Sequence, residues 1–138
     1  MPQPIEVEAI IFRRIGNKVE YLLLKRLPMR NGFWQPVTGC VEEGETLKEA
    51  LYREIREETG IKSIIRVFDD VHYFEFSDPN LYKEYVYGVE ASLSEEIMLD
   101  PKEHSEYKWC SYQQALQLLH WKENKEALRK LNVTITQL

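Results

Sequence analysis

Three glutamates crowd into the run Arg53-Glu54-Ile55-Arg56-Glu57-Glu58-Thr59-Gly60. At 3.6 residues per turn, Leu47, Leu51, Ile55 and, at the edge, Ala50 form the apolar stripe of a helix from about Thr46 to Thr59. Glu54 and Glu58 fall inside that stripe and Glu57 on its edge. A bland reading is available: Arg53 can pair with Glu49 and Glu57 at i,i+4 spacing, each pair contributing roughly 0.2–0.5 kcal/mol on a solvated face. Carboxylates on the core-facing side are a different matter. Helical neighbours lie about 5–6 Å apart, where two ionised carboxylates repel by about 3 kcal/mol at an effective dielectric near 20. Either protons stay on or a cation sits between them, and hard oxygen ligands on a rigid element suit Mg²⁺ or Mn²⁺.

The flanking residues sharpen this. Gly39 and Gly44 permit a tight loop, Thr46 with Glu49 reads as a capping box, and Gly60 as a C-terminal cap. The whole stretch GCVEEGETLKEALYREIREETGI, residues 39–61, resembles the Nudix box, the signature of the Nudix hydrolase superfamily. Gly39, Glu45, Arg53, Glu54, Ile55, Glu57, Glu58, Gly60 and Ile61 fill its fixed positions. The resemblance implies that Arg53 holds a neighbouring glutamate such as Glu45. It also implies that Glu54, Glu57 and Glu58 bind the metal, with Arg53, Glu54 and Glu57 serving catalysis.

The elements that must carry this site are legible in outline. Residues 6–14 and 20–26 read as a strand hairpin, FWQPVTG as a short extended run into the box, and residues 64–76 and 81–93 as two longer strands about an SDPN turn. EHSEYKWC is a strand or turn, followed by helices over about 111–119 and 122–131. That order suits an α+β fold, a mixed β-sheet with helices on both faces, and resembles the α/β/α sandwich of Nudix domains. At 138 residues the chain reads as one domain, 1–138. Net charge is −5, and the box with seven acidic and three basic residues supplies −4 of it. This argues against a nucleic-acid surface, which needs a basic patch. No stretch approaches a membrane span and no basic segment precedes the first apolar run, so a cytoplasmic location is expected. Cys40 and Cys110 are too few for a disulfide scaffold and read as free thiols.

Outside the box, Trp34-Gln35-Pro36-Val37-Thr38-Gly39 and the Glu103-His104 to Trp109 segment resemble the Nudix branch that hydrolyses dihydroneopterin triphosphate and dATP. The resemblance marks Glu103 as a metal ligand or base facing the helix. Thr38 can offer a backbone carbonyl to the metal and a side chain to a phosphate. Arg26 is the phosphate-contact candidate, with Lys25 its substitute because alternation gives each face one of them. Tyr85, Tyr87 and Trp34 can stack on a base or pteridine ring. The implied reaction is Mg²⁺-dependent cleavage of a nucleoside or pterin polyphosphate. The alternatives are an asymmetrical diadenosine tetraphosphate hydrolase giving ATP and AMP, a sanitiser of oxidised nucleotides, and a non-catalytic Nudix-like regulator. Monomer and homodimer both remain open.

Overall fold

The computed structural model describes residues 4–137. β1 (Ile5–Ile15) and β2 (Lys18–Arg26) form an antiparallel hairpin turned at Gly16, whose φ of 60° favours glycine. A short 3-10 turn, Pro28–Arg30, leads to β3 (Trp34–Gln35) and, after Pro36, to β4 (Val37–Cys40). Then come α1 (Leu47–Thr59), the long hairpin of β5 (Ile64–Ser77) and β6 (Leu81–Ala91), β7 (His104–Cys110), α2 (Tyr112–Leu118) and α3 (Lys122–Thr136).

The strands make one mixed sheet in the order β3-β2-β1-β6-β5, with β4 added to β1 and β7 to β2. β1 and β6 are parallel and the other pairs antiparallel. β1 changes partners along its length: Phe12–Ile15 pair with β2, whereas Glu6–Ala9 pair with β4. Where β2 has left β1 it continues with β3 and β7. The loops and helix ends around this parting of strands carry the site described below.

The period of two in β1 divides the core. Val7, Ala9 and Ile11 face one side with Leu22, Leu24 and Val37, and α1 covers them with Ala50, Leu51 and Ile55. Ile10 and Phe12 face the other side with Tyr21, Leu23 and Val86, beneath Ala115 of α2 and Leu128 and Leu131 of α3. Among the described residues no helix is long and apolar enough to cross a membrane.

Two local expectations need correction. α3 continues five residues past Leu131, to Thr136. Its β-branched end, Val133-Thr134-Ile135-Thr136, has weak helix propensity, but Ile135 is buried one turn beyond Leu131, and packing outweighs propensity. Glu49 does not pair with Arg53. It closes the capping box instead, accepting from Thr46 N at 2.9 Å while Thr46 Oγ1 accepts from Glu49 N at 3.1 Å.

Candidate active site

α1 is pinned at both ends by its own sequence. The capping box starts it and Gly60, at φ 76°, ends it with its N–H on the Arg56 carbonyl. Between these ends Arg53 organises the acidic turn. Its Nε donates to Glu45 Oε2 at 2.7 Å and its Nη2 to Glu45 Oε1 at 3.0 Å, a two-pronged grip. The same guanidinium reaches Glu54 at 2.6 Å, Glu57 at 3.3 Å and the Cys40 carbonyl at 2.9 Å. Glu45 also accepts from Glu42 N, and these bonds hold its carboxyl low, at about 2. One arginine thus ties the box loop to the helix and fixes the Glu54 carboxyl. Gly39 completes the fit, because a Cβ there would collide with that carboxyl.

Glu58 is the buried member of the set, whereas Glu57 is mostly exposed. Burial raises the Glu58 pKa far above the usual carboxylate range, and the adjoining Glu54 and Glu103 carboxylates add to this. Arg26 opposes the shift, so its charge is felt there. A register shift between Lys25 and Arg26 lets Arg26 pair with His104, beside which Glu58 lies, its Oε1 3.6 Å from His104 Nδ1. His104 is buried with neither ring nitrogen hydrogen-bonded to a described residue, and burial with nearby Arg26 lowers its pKa to about 4. Glu103 leans toward Arg30, at 3.8 Å.

Among the described residues no three His, Cys, Asp or Glu side chains converge as a ready metal cage. Arg53 draws Glu54 and Glu57 to itself, and Arg30 draws Glu103. The donor chemistry nevertheless fits a hard divalent cation. Glu54 and Glu58 are carboxyl groups in hydrogen-bond contact with no cation on Glu58, and the orphaned His104 imidazole stands behind them.

The remaining sequence candidates are dispersed. Lys25 faces away from Arg26, 3.6 Å from Glu106 and 6.0 Å above the Trp34 ring. Trp34 packs on the α3 side of the sheet. Tyr87 is buried in the core under α1, and Tyr85 packs against that core and the Tyr73 ring, 4.9 Å between centroids. Tyr87 therefore has no open face for a ligand ring. Thr38 pairs with Glu8 across β4 and β1, so its side chain takes the face opposite the one on which Gly39 meets Glu54.

A NUDIX domain model matches residues 4–131. The chain belongs to the Nudix family. It is accordingly a pyrophosphohydrolase acting on phosphoanhydride bonds, and family members typically use a divalent metal. A dihydroneopterin triphosphate diphosphatase of Escherichia coli K12 is 30% identical over 93% of this chain and 91% of its own length. An asymmetrical bis(5'-nucleosyl)-tetraphosphatase of Caenorhabditis elegans is 30% identical over 89% and 90%. An octanoyltransferase of Myxococcus xanthus is also 30% identical over 94% of this chain, which spans only 37% of that protein. Among solved structures, a NUDIX hydrolase from Listeria monocytogenes superposes with TM-score 0.84 at 30% identity over 98% of this chain and 96% of its own.

This Nudix chain also holds a row of carboxyls that the sequence reading passed over. Glu6 and Glu84 are register partners on the parallel strands β1 and β6, and Glu8 stands next along β1 on the same face. Glu8 and Glu84 are buried. Burial raises Glu8 to about 7, Glu6 to about 8 and Glu84 to about 9, and the neighbouring carboxyls contribute for Glu6 and Glu84. Asn124, in the first turn of α3, donates to Glu8 Oε1 at 2.9 Å. The available signal was phase: Glu6 and Glu8 alternate in step with the buried Ile10 and Phe12, not with solvent.

Proposed function

We propose that this chain cleaves a nucleoside or pterin triphosphate between the α and β phosphorus atoms, releasing the monophosphate and pyrophosphate. The observation that carries the reading is the Glu54–Glu58 pair, two carboxyls in contact on one helix with Arg26 acting on the buried one. Glu54 and Glu58, joined by Glu57 and Glu103, would hold Mg²⁺, with Mn²⁺ as a substitute; when bound, the ion offsets phosphate charge and lowers the pKa of a bound water.

The rest of the work falls to the chain. Arg53 is a positioning residue: it fixes Glu54 through the Glu45 clamp. Arg26 gives a fixed positive charge for the phosphate chain. A carboxylate not committed to the cation, Glu54, Glu57 or Glu103, takes the proton from the attacking water.

Preference for a triphosphate rests on β4. Val37 is buried beneath α1 and Thr38 is uncharged, so this strand presents no cation to a longer polyphosphate. The similarity to the Caenorhabditis tetraphosphatase favours a second reading, asymmetric cleavage of diadenosine tetraphosphate to ATP and AMP. Side-by-side kcat/KM for dATP, dihydroneopterin triphosphate and diadenosine tetraphosphate, with products resolved by chromatography, separates the two. The first reading expects pyrophosphate as co-product and a triphosphate as the best substrate.

A further inference from the structure

The turn Pro28-Met29-Arg30-Asn31 after β2 is exposed, yet its backbone is closely tied. Pro28 opens it, and Asn31 and Gly32 close it at φ 94° and 70°, the left-handed region that asparagine tolerates and glycine prefers. The Leu27 carbonyl accepts from Arg30 N at 2.8 Å and from Gly32 N at 3.1 Å, and Asn31 Oδ1 accepts from Phe33 N at 2.9 Å. With the backbone held, the Arg30 side chain is the part free to move.

The same backbone is joined to the segment that carries Glu103, because Leu27 N donates to the Glu103 carbonyl at 3.2 Å. Arg30 Nη2 stands 3.8 Å from Glu103 Oε1, and Arg30 makes no other ion pair among the described residues. The contact is weak. Its length exceeds a hydrogen bond, and the two side chains are 46% and 38% exposed, so water screens the attraction.

This pair borders the box carboxyls. The Glu103 carboxylate is felt at buried Glu58, where it adds to the rise in pKa that burial causes, and Arg26 opposes it there. Arg26 and Arg30 both act on buried His104, whose Nδ1 is 3.6 Å from Glu58 Oε1. One arginine thus approaches from the end of β2 and the other from the turn after it. A triphosphate carries more negative charge than one divalent ion and one arginine offset, and a guanidinium grips phosphate oxygens in pairs.

We propose that Arg30 is a second phosphate-binding residue that exchanges partners: without substrate it holds Glu103, and with substrate it moves to the phosphate chain and releases Glu103 to the cation. The inference rests on the polyphosphate reading above and assigns Glu103 within it to the cation rather than to the attacking water. The exchange trades a long, screened contact for charge-assisted hydrogen bonds and leaves neither Arg30 nor Glu103 unpaired. The cation then gains its full set of carboxylates only when a phosphate chain is in place.

The test reads two affinities that should move in opposite directions in Arg30→Gln. Mn²⁺ binding to the substrate-free protein, followed by electron paramagnetic resonance of the free ion, should tighten about twofold to fivefold, because Glu103 is no longer held. Binding of α,β-methylene dATP in saturating Mg²⁺, followed by titration calorimetry, should weaken by about tenfold or more. In a Glu103→Gln background the same Arg30 substitution should no longer tighten Mn²⁺, which separates an effect through Glu103 from the general field of a lost positive charge. Should Arg30→Gln fail to fold, Arg30→Met carries the same expectations. Unchanged or weakened Mn²⁺ binding, tightening that persists without Glu103, or unchanged analogue affinity each overturns the exchange. Neither measurement needs turnover, so absence of hydrolysis in a separate assay would sink the proposed reaction and leave this result standing.

Discussion

Glu54 lays its carboxyl group against the backbone of Gly39, in the space a Cβ at Gly39 would fill. The two residues come from different elements, β4 and α1, and the contact sets where the carboxyl can stand. Gly39→Ala should therefore push Glu54 aside. A displacement of about 1 Å at a reacting group costs on the order of 10²-fold in rate, so kcat should fall by about that factor. The check is kcat alongside thermal melting: a variant that folds and keeps the wild-type rate would contradict the positioning role.

Glu54→Gln and Glu58→Gln keep shape and remove charge. Each should lower kcat by about two orders of magnitude or more. Neither should lower the melting temperature in chelator, since Glu58 is held out of its ionised form by burial and by the Glu54 carboxylate. A melting point that drops sharply with activity intact would make the pair structural.

Arg53→Lys separates charge from geometry. Lysine retains the positive charge but cannot span Glu45 twice while also reaching Glu54 and the Cys40 carbonyl. Activity should fall about tenfold or more, with kcat rather than KM carrying the loss. A shift confined to KM would place Arg53 on the substrate instead.

Much of this arrangement was legible because it is local. The limits of α1 are written in Thr46, Glu49 and Gly60, and the box fixes Glu45, Arg53 and Glu54 within a few turns of one another. Long-range facts were less accessible. Alternation alone sends Lys25 and Arg26 to opposite faces, but only the strand irregularity at that point shows Arg26 beside His104. Tyr85 and Tyr87 read as a strand face suited to stacking, yet Tyr87 is buried in the core that α1 shares, while Tyr85 stays half-exposed beside Tyr73. The carboxyl row depends on the parallel pairing of β1 with β6, which no single segment announces.

That row predicts an unusual pH dependence. Glu84 has a folded pKa of about 9, raised first by burial, against an unfolded value near 4.5. The folded chain therefore binds more protons than the unfolded chain between those values. The stabilising contribution is full below about pH 4.5 and is lost as pH rises toward 9, at up to about 1.4 kcal/mol per pH unit for one proton. Chemical denaturation from pH 5 to 9 should show stability falling through this range, and Glu84→Gln should flatten the slope. A wild-type profile that rises through the same window would contradict it.

Hydrolysis of a triphosphate with product identification tests the central claim most directly. Dihydroneopterin triphosphate, dATP and diadenosine tetraphosphate are incubated with the protein in Mg²⁺ and in excess chelator, and the phosphate products are resolved. The account predicts pyrophosphate and a monophosphate from a triphosphate, no turnover in chelator, and recovery with Mg²⁺ or Mn²⁺. Full activity in chelator would contradict the carboxylate site. A preference of more than about tenfold for diadenosine tetraphosphate, with ATP and AMP as products, would contradict the triphosphate assignment.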